Sequence, residues 1–351
     1  MASRFLRRLA QHSTVLGEAS DTGRVLVDLD DTIVEVHGHR KQGAAFGYSR
    51  VRGLNALLAT VSGPTFAPVI AAQRLRRGDV GSPRGAARAA LDALALIRRT
   101  HLAGRAVLLR ADCAFYSHTL VRAVLATGAD VSITVRMDPA VKRAIASIEE
   151  GTWTTIKYTD ALYDDQAGWV SKAQVAEVPF TAFTSQPKDE QVAGRLVVRR
   201  IPDLNPKTGQ GQDTLFTTWR FHAFFTTTPA GQLDTVAADQ VHRRHAIIEN
   251  VHADLKASAL THLPSGVFNA NAVWLDCAVM AFNLTRTAAT STTPSLAKAT
   301  TATIRRTLIS VPARVASTAR RLHLHLPTRW PWETAWSTLY DTVMPRPTHI
   351  T

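Results

Sequence analysis

The chain has 351 residues, 45% of them hydrophobic, which is enough for one large domain or two ordinary ones with a substantial core and excludes a disordered tail. Lys and Arg outnumber Asp and Glu by 41 to 28, and the formal charge of +13 favours a polyanionic partner, nucleic acid first, through counterion release. Two cysteines, Cys113 and Cys277, are too few for a disulfide framework or a four-cysteine zinc site and are expected as small buried residues. The opening MASRFLRRLAQHS lacks the apolar core of a secretory signal and no later run is long enough to cross a membrane, so a cytoplasmic protein with no membrane partner is expected.

After a short polar leader, Arg24 to Asp30 alternates as a strand, with Asp28 and Asp30 on one face and Asp30 at its end. Residues 35–53 are glycine-rich and basic, and predict a loop able to lie on phosphate; His37 and His39 belong to it as loop or phosphate contacts. Asn55 to Val61 and Phe66 to Ala72, separated by Gly63-Pro64, fit a hairpin. Ser82-Pro83 supplies a cap and first-turn proline for an alanine- and leucine-rich helix over 85–101. The apolar run Ala106 to Leu109 reads as a buried parallel strand that delivers Asp112 at its tip, and a helix over 117–126 leads to a strand over 131–135.

From about 137 to 235 helical periodicity fades, and Trp153, Trp169 and Trp219 appear in a β-rich stretch. Strands are expected at 196–201 and 216–226 around the turn-rich segment 202–211. Core packing is the first role of these tryptophans, stacking on unpaired bases the second. Val241 to Lys256 then predicts one helix with two faces: Ile247, Ile248, Val251 and Leu255 on one, His242, His245, Glu249, His252 and Lys256 on the other. An apolar helix over 268–287 and a Thr/Ala/Ser-rich linker over 285–303 follow. Between Cys277 and Trp332 there is no acidic residue, while Arg286, Lys298, Arg305, Arg306, Arg314, Arg320, Arg321 and Arg329 all fall inside. This stretch is expected to be the most electropositive part of the surface and to bind DNA.

Three carboxylates stand at element ends or opposite an apolar face: Asp30, Asp112 and Glu249. Hard divalent cations take oxygen ligands, and a pair of them held by carboxylates suits in-line phosphoryl displacement. A zinc hydrolase built on His242, His245, Glu249 and His252 is the competing enzyme reading, against which stands the absence of an HExxH pattern.

The order and spacing of several segments resemble the group 1 DDE-domain transposases of bacterial insertion sequences. They are VDLDDT at 27–32, HGHRKQGAAFGY at 37–48, RRG at 76–78, RADCAF at 110–115, WRFHAFFT at 219–226, RRHAIIENVHADLK at 243–256 and RRLHLHLP at 320–327. The resemblance implies an α/β, RNase H-like mixed sheet flanked by helices, with a β-rich insertion before the last catalytic helix. It divides the chain into a leader (1–23), the first part of the catalytic domain (24–136), the insertion (137–235), the last catalytic helix with a packing helix (236–288) and a basic C-terminal region (289–351). It also implies cleavage of double-stranded DNA at transposon ends and transfer of the freed 3′-hydroxyl into target DNA, by a protein that is dimeric on DNA and uses about two Mg²⁺ or Mn²⁺ and no organic cofactor.

Carried over by position, Asp30, Asp112 and Glu249 are the implied metal ligands, with Asp28 the alternative to Asp30. Lys256 is an implied phosphate contact. His245 stands where the family carries an arginine one turn before the glutamate, with Arg243 and Arg244 as substitutes, and Arg305, Arg306, Arg320 and Arg321 extend the DNA contacts. The short segment before the first strand departs from the family's N-terminal DNA-binding region, so a truncated copy is expected, and an inert DNA-binding remnant is the alternative function.

Overall fold

The computed structural model describes residues 1–38, 40–156, 162–164, 168–170, 173–202, 219–319 and 321–344. It falls into two compact units, one made of Met1–Ala106 with Ile247–Thr351 and the other of Val107–Ala246.

The first unit opens on α1 (Ala2–Gln11), where a polar leader is expected. Ala2 and Leu6 are buried, and the Ser3 hydroxyl donates to the Ala71 carbonyl at 2.8 Å. Four strands follow: β1 (Val25–Glu35), β2 (Ala45–Phe46), β3 (Arg52–Ser62) and β4 (Val69–Arg77). β3 pairs antiparallel with the other three, and Asp30 stands opposite Leu58. β3 is buried almost end to end, as its near-continuous apolar sequence requires. The expected basic loop has its ends taken by β1 and β3, and among the described residues between them β2 interrupts it. Two of the loop's glycines are steric necessities, a Cβ on Gly47 lying 2.3 Å from the Gly78 carbonyl oxygen and one on Gly53 2.5 Å from that of Val34, and Gly78, just past β4, is another, its Cβ falling 2.1 Å from the Gly53 carbonyl oxygen and 2.5 Å from that of Ala45. The helix α2 (Ala86–Ile97) lays Ala86, Ala89, Ala90 and Ala93 against this sheet, small side chains that let it approach closely. Its N-cap is Gly85, in a left-handed conformation at φ 81°, and not Ser82, because Pro83 closes a separate turn to Ala86 just before the helix.

The second unit begins with a parallel crossover, β5 (Val107–Ala111), α3 (His118–Leu125) and β6 (Asp130–Thr134). Ser117 caps α3, so that strand and helix fall where the sequence predicts them. Then come α4 (Pro139–Ala146), β7 (Thr154–Thr155), β8 (Leu162–Asp164), β9 (Gly168–Val170), β10 (Gln174–Ala182), β11 (Val192–Pro202), β12 (Trp219–Thr226) and α5 (Thr235–Arg243). The unit's sheet runs β5-β6-β12-β11-β10-β7, antiparallel except for the β5–β6 pair, while β8 and β9 form a hairpin of their own. The expected turn-rich segment 202–211 lies, apart from Pro202, outside the described residues, as do the first residues of the strand expected from 216.

The helix expected over 241–256 is two. α5 closes in a 3-10 turn, Arg244–Ala246, and α6 (Ile247–Lys256) starts after it. Each half is anchored in its own unit, α5 through buried Ala238 and Asp239 and α6 through Ile248, Val251, His252 and Leu255. Ile247 falls at the break and is exposed, a departure from the expected apolar face.

Back in the first unit, α7 (Phe268–Thr290) packs on β4 and α1. Its buried Asn283 accepts from the Ile70 amide and donates to the Ile70 carbonyl, both at 2.9 Å, beside a bulge in the β3–β4 ladder. Val34, Leu54, Leu58, Ile70, Val251, Leu255, Leu275, Val279 and Phe282 share one core, and each such side chain contributes about 1.5–3 kcal/mol when fully buried.

The stretch expected as a linker is structured as α8 (Pro294–Ala297) and α9 (Thr301–Ile304). Thr293 and Thr300 cap these short helices, and Arg286 donates to the Ala297 and Ala299 carbonyls at 2.7 Å. Threonines that read as low-complexity spacer are hydrogen-bonding caps. A π-helical turn, Arg305–Ile309, leads to the hairpin β13 (Arg314–Thr318) and β14 (Arg321–His325), and α10 (Glu333–Val343) follows. Among the described residues no helix is long and apolar enough to cross a membrane.

Candidate active site

In the first unit the acidic cluster of β1 is sorted by strand alternation. Asp28 and Asp30 share one face, but Asp28 is fully buried whereas the Asp30 side chain is 22% exposed. Asp30 lies in mid-strand and not at the strand end, because β1 continues to Glu35 as the partner of β3. Its Oδ1 accepts the Asp31 amide at 2.8 Å, and its Oδ2 lies 3.5 Å from Nε2 of His252 on α6. Asp31, on the opposite face, forms an ion pair with buried Arg76. That guanidinium also donates to Asn55 Oδ1 and to the carbonyls of Ser82 and Arg84. Burial lowers the Arg76 pKa, and Asp31 opposes that shift. The basic pair of RRG therefore has one member inside, bracing the strand that carries Asp30.

α6 packs against β1 and presents Glu249 and Lys256 to solvent. His252, expected with them on the polar face, is buried and is the α6 side chain that meets Asp30. Its i+3 spacing from Glu249 was visible in the sequence, but nothing there distinguished a histidine turned to the sheet from one turned to water. Asp254, in the last turn of α6, caps α9 through the Thr301 amide and hydroxyl and lies 4.0 Å from Arg286.

In the second unit Asp112 stands where the sequence places it, exposed just beyond the end of β5. Its Oδ1 accepts the Ala114 amide at 3.0 Å, capping a 3-10 turn. His242 is half-buried, its ring stacked on Phe224 at 4.0 Å and its two nitrogens engaged by Ser132 Oγ at 2.8 Å and Thr134 Oγ1 at 3.0 Å. Burial, followed by the positive neighbours His245, Arg110 and Arg199, holds its pKa well below the ordinary histidine value. A neutral histidine with both nitrogens occupied is no zinc ligand, and this removes the zinc-hydrolase set. Arg243 is paired with buried Asp239 at 2.8 Å, which Arg199 also meets at 2.6 Å. The i, i+4 spacing of Asp239 and Arg243 was legible in the sequence and marks Arg243 first as a structural cation. Arg244 is exposed and His245 half-buried.

Two of the insertion's tryptophans have a defined task. The guanidinium of buried Arg200 sits 4.3 Å from the ring centroids of both Trp153 and Trp219, and it is held in plane by Glu150 and Gln174. The side chain of Trp169 lies outside the described residues. In the basic C-terminal stretch Arg305, Arg306 and Arg321 are exposed, Arg320 lies outside the described residues, and Arg286 is buried and so adds nothing to the surface. Cys277, expected in the core, is exposed on α7, and Cys113 is half-buried.

The donor chemistry of Asp30, Asp112 and Glu249 is all carboxylate oxygen and each is open to solvent, as a hard divalent cation requires. Among the described residues, however, no group of three or more His, Cys, Asp or Glu side chains is gathered closely enough to hold a metal ion.

Sheets flanked by helices, with one parallel crossover and an antiparallel extension, define a mixed α/β protein. The profile of the family described as Transposase DDE domain group 1 matches residues 9–347, and the chain belongs to that family. Among curated proteins no relative matches. A solved structure, a piggyBac transposase synaptic complex with hairpin DNA, is similar at 11% identity and a TM-score of 0.35, over 81% of this chain and 51% of the other. This chain thus spans about half the length of that one.

Proposed function

We propose that the chain is a DNA transposase that cuts at insertion-sequence ends and joins the freed 3′-hydroxyl to target DNA. The observation that carries this reading is membership of the DDE family over 9–347, with a part-exposed carboxylate, Asp30, braced on a strand beneath α6.

Asp30, Asp112 and Glu249 are the residues that would hold Mg²⁺ or Mn²⁺. Full burial of Asp28 favours Asp30 for the first position. A bound pair of such cations supplies activation of the attacking hydroxyl and neutralisation of charge on the leaving oxygen. The chain's own contribution is placement. Arg76 and Asp31 fix β1, His252 stands against Asp30 Oδ2, and exposed Lys256 on α6 offers a cation to a DNA phosphate. Exposed Arg244, Arg305, Arg306 and Arg321, with half-buried His245, extend the phosphate contacts, while Arg243 serves chiefly to hold Asp239. Double-stranded DNA is the partner, bound by a dimer.

The test is to incubate the purified protein with end-bearing duplex and Mg²⁺ or Mn²⁺ beside its Glu249→Gln variant. Metal-dependent nicking that the variant loses supports the reading. DNA binding without nicking by the wild type makes the chain an inert remnant.

A further inference from the structure

The hairpin β13–β14 is a free two-stranded ribbon whose pairing sorts its side chains by charge. The register sets Arg314 opposite His325, Ala316 opposite His323 and Thr318 opposite Arg321, while Val315 faces Leu324 and Ser317 faces Leu322. Cross-strand partners share a face and successive residues alternate, so Arg314, His325, His323 and Arg321 lie on one side and Val315, Leu324 and Leu322 on the other. The His323 and His325 rings, with centroids 6.5 Å apart, fit that assignment. Every one of these side chains except Ala316 is exposed. The ribbon pairs with no further strand among the described residues. No acidic residue occurs between Cys277 and Trp332 to neutralise it in sequence.

We propose that this ribbon is a duplex-DNA contact that lays its Arg314–His325–His323–Arg321 face on the phosphate backbone, with the leucine face turned away. The inference rests on the DNA-binding reading above and deepens it, by assigning the contact to one face of one element. Three cross-strand layers repeat at about 6.8 Å, so the basic face runs about 14 Å between its two arginines. Two strands also match the width of a B-DNA major groove, which admits such a ribbon. Charge complementarity selects the occupant: two guanidiniums and two imidazoles with no carboxylate between them suit a polyanion, and counterion release supplies the affinity.

The test measures binding of the full chain to a fluorescent duplex by anisotropy, between about 50 and 200 mM salt. The double variant Arg314→Gln with Arg321→Gln is compared with Leu322→Ser with Leu324→Ser. Losing two phosphate contacts is expected to weaken binding about 60-fold near 0.1 M salt and to make the log–log salt slope shallower by about 1.8, whereas the serine variant stays within about twofold of wild type. Circular dichroism checks that both variants keep the wild-type fold, and an exposed ribbon gives no reason for either to lose it. Wild-type binding with an unchanged slope in the glutamine variant overturns the ribbon assignment alone; absence of duplex binding by the wild type overturns the reading beneath it as well. Capture by phosphatidylserine vesicles that the serine variant abolishes, with duplex affinity intact in the glutamine variant, assigns the ribbon to a lipid surface and also overturns the proposal.

Discussion

Replacing Arg76 by Met removes the charge that Asp31 faces inside the first unit. The Arg76 side chain is 7% exposed and that of Asp31 15%, so water cannot take over the missing partner. The guanidinium also satisfies Asn55 Oδ1 at 2.7 and 2.9 Å, Ser82 O at 3.0 Å and Arg84 O at 2.6 Å. Breaking a buried pair by deleting one member costs about 3–5 kcal/mol, because the other charge stays desolvated and alone. At roughly 2–4 °C per kcal/mol this corresponds to a fall in melting temperature of roughly 6–20 °C. Asp31→Asn is expected to cost less, since an amide still accepts from the guanidinium. The decisive comparison is Asp31→Leu with Arg76→Met, which removes both charges and should recover much of the single-variant loss. Differential scanning fluorimetry reads all of these. Melting of Arg76→Met within about 2 °C of wild type, or a double variant that costs the full sum of its singles, refutes the argument that this pair braces β1.

Gly78→Ala puts a methyl group 2.1 Å from a backbone oxygen, and is expected to destabilise the first unit by at least about 1–3 kcal/mol, read as a lower urea midpoint. Gly104→Ala, where a Cβ meets nothing within 4 Å, is the control that carries only the strain of a positive φ. Acid should weaken the fold through His242. Its folded pKa is depressed, so its contribution is complete above the ordinary value of 6.5 and is lost as pH falls below it, by up to about 1.4 kcal/mol per pH unit. Melting curves between about pH 7.5 and 5.5 should therefore show a smaller drop in His242→Gln than in wild type; equal drops contradict the assignment.

Much of the fold was legible because it is written in short-range patterns. The run at 106–109, the glycine stops and the Ser117 cap mark the β5–α3–β6 crossover, and alternation marks β1. What was not legible depends on long-range partners. Asp30 looked like a strand end because an aspartate pair resembles a turn, yet β3 extends the pairing past it to Glu35. The periodicity from Val241 to Lys256 is continuous, but the stacking of His242 on Phe224 and the burial of Val251 among the first unit's core give its halves different anchors. His252 read as polar because only the approach of α6 to β1 decides which way it turns. The candidate carboxylates were nameable from motif order alone, whereas the Arg76–Asp31 brace behind one of them required the β3–β4 register.

Calorimetric titration of Mn²⁺ into the wild type and into Asp30→Asn, Asp112→Asn and Glu249→Gln tests the central claim most directly, that these three carboxylates serve one metal centre. Each substitution is predicted to weaken Mn²⁺ binding by at least about tenfold with the melting temperature retained. Equal affinity in all four proteins contradicts the claim.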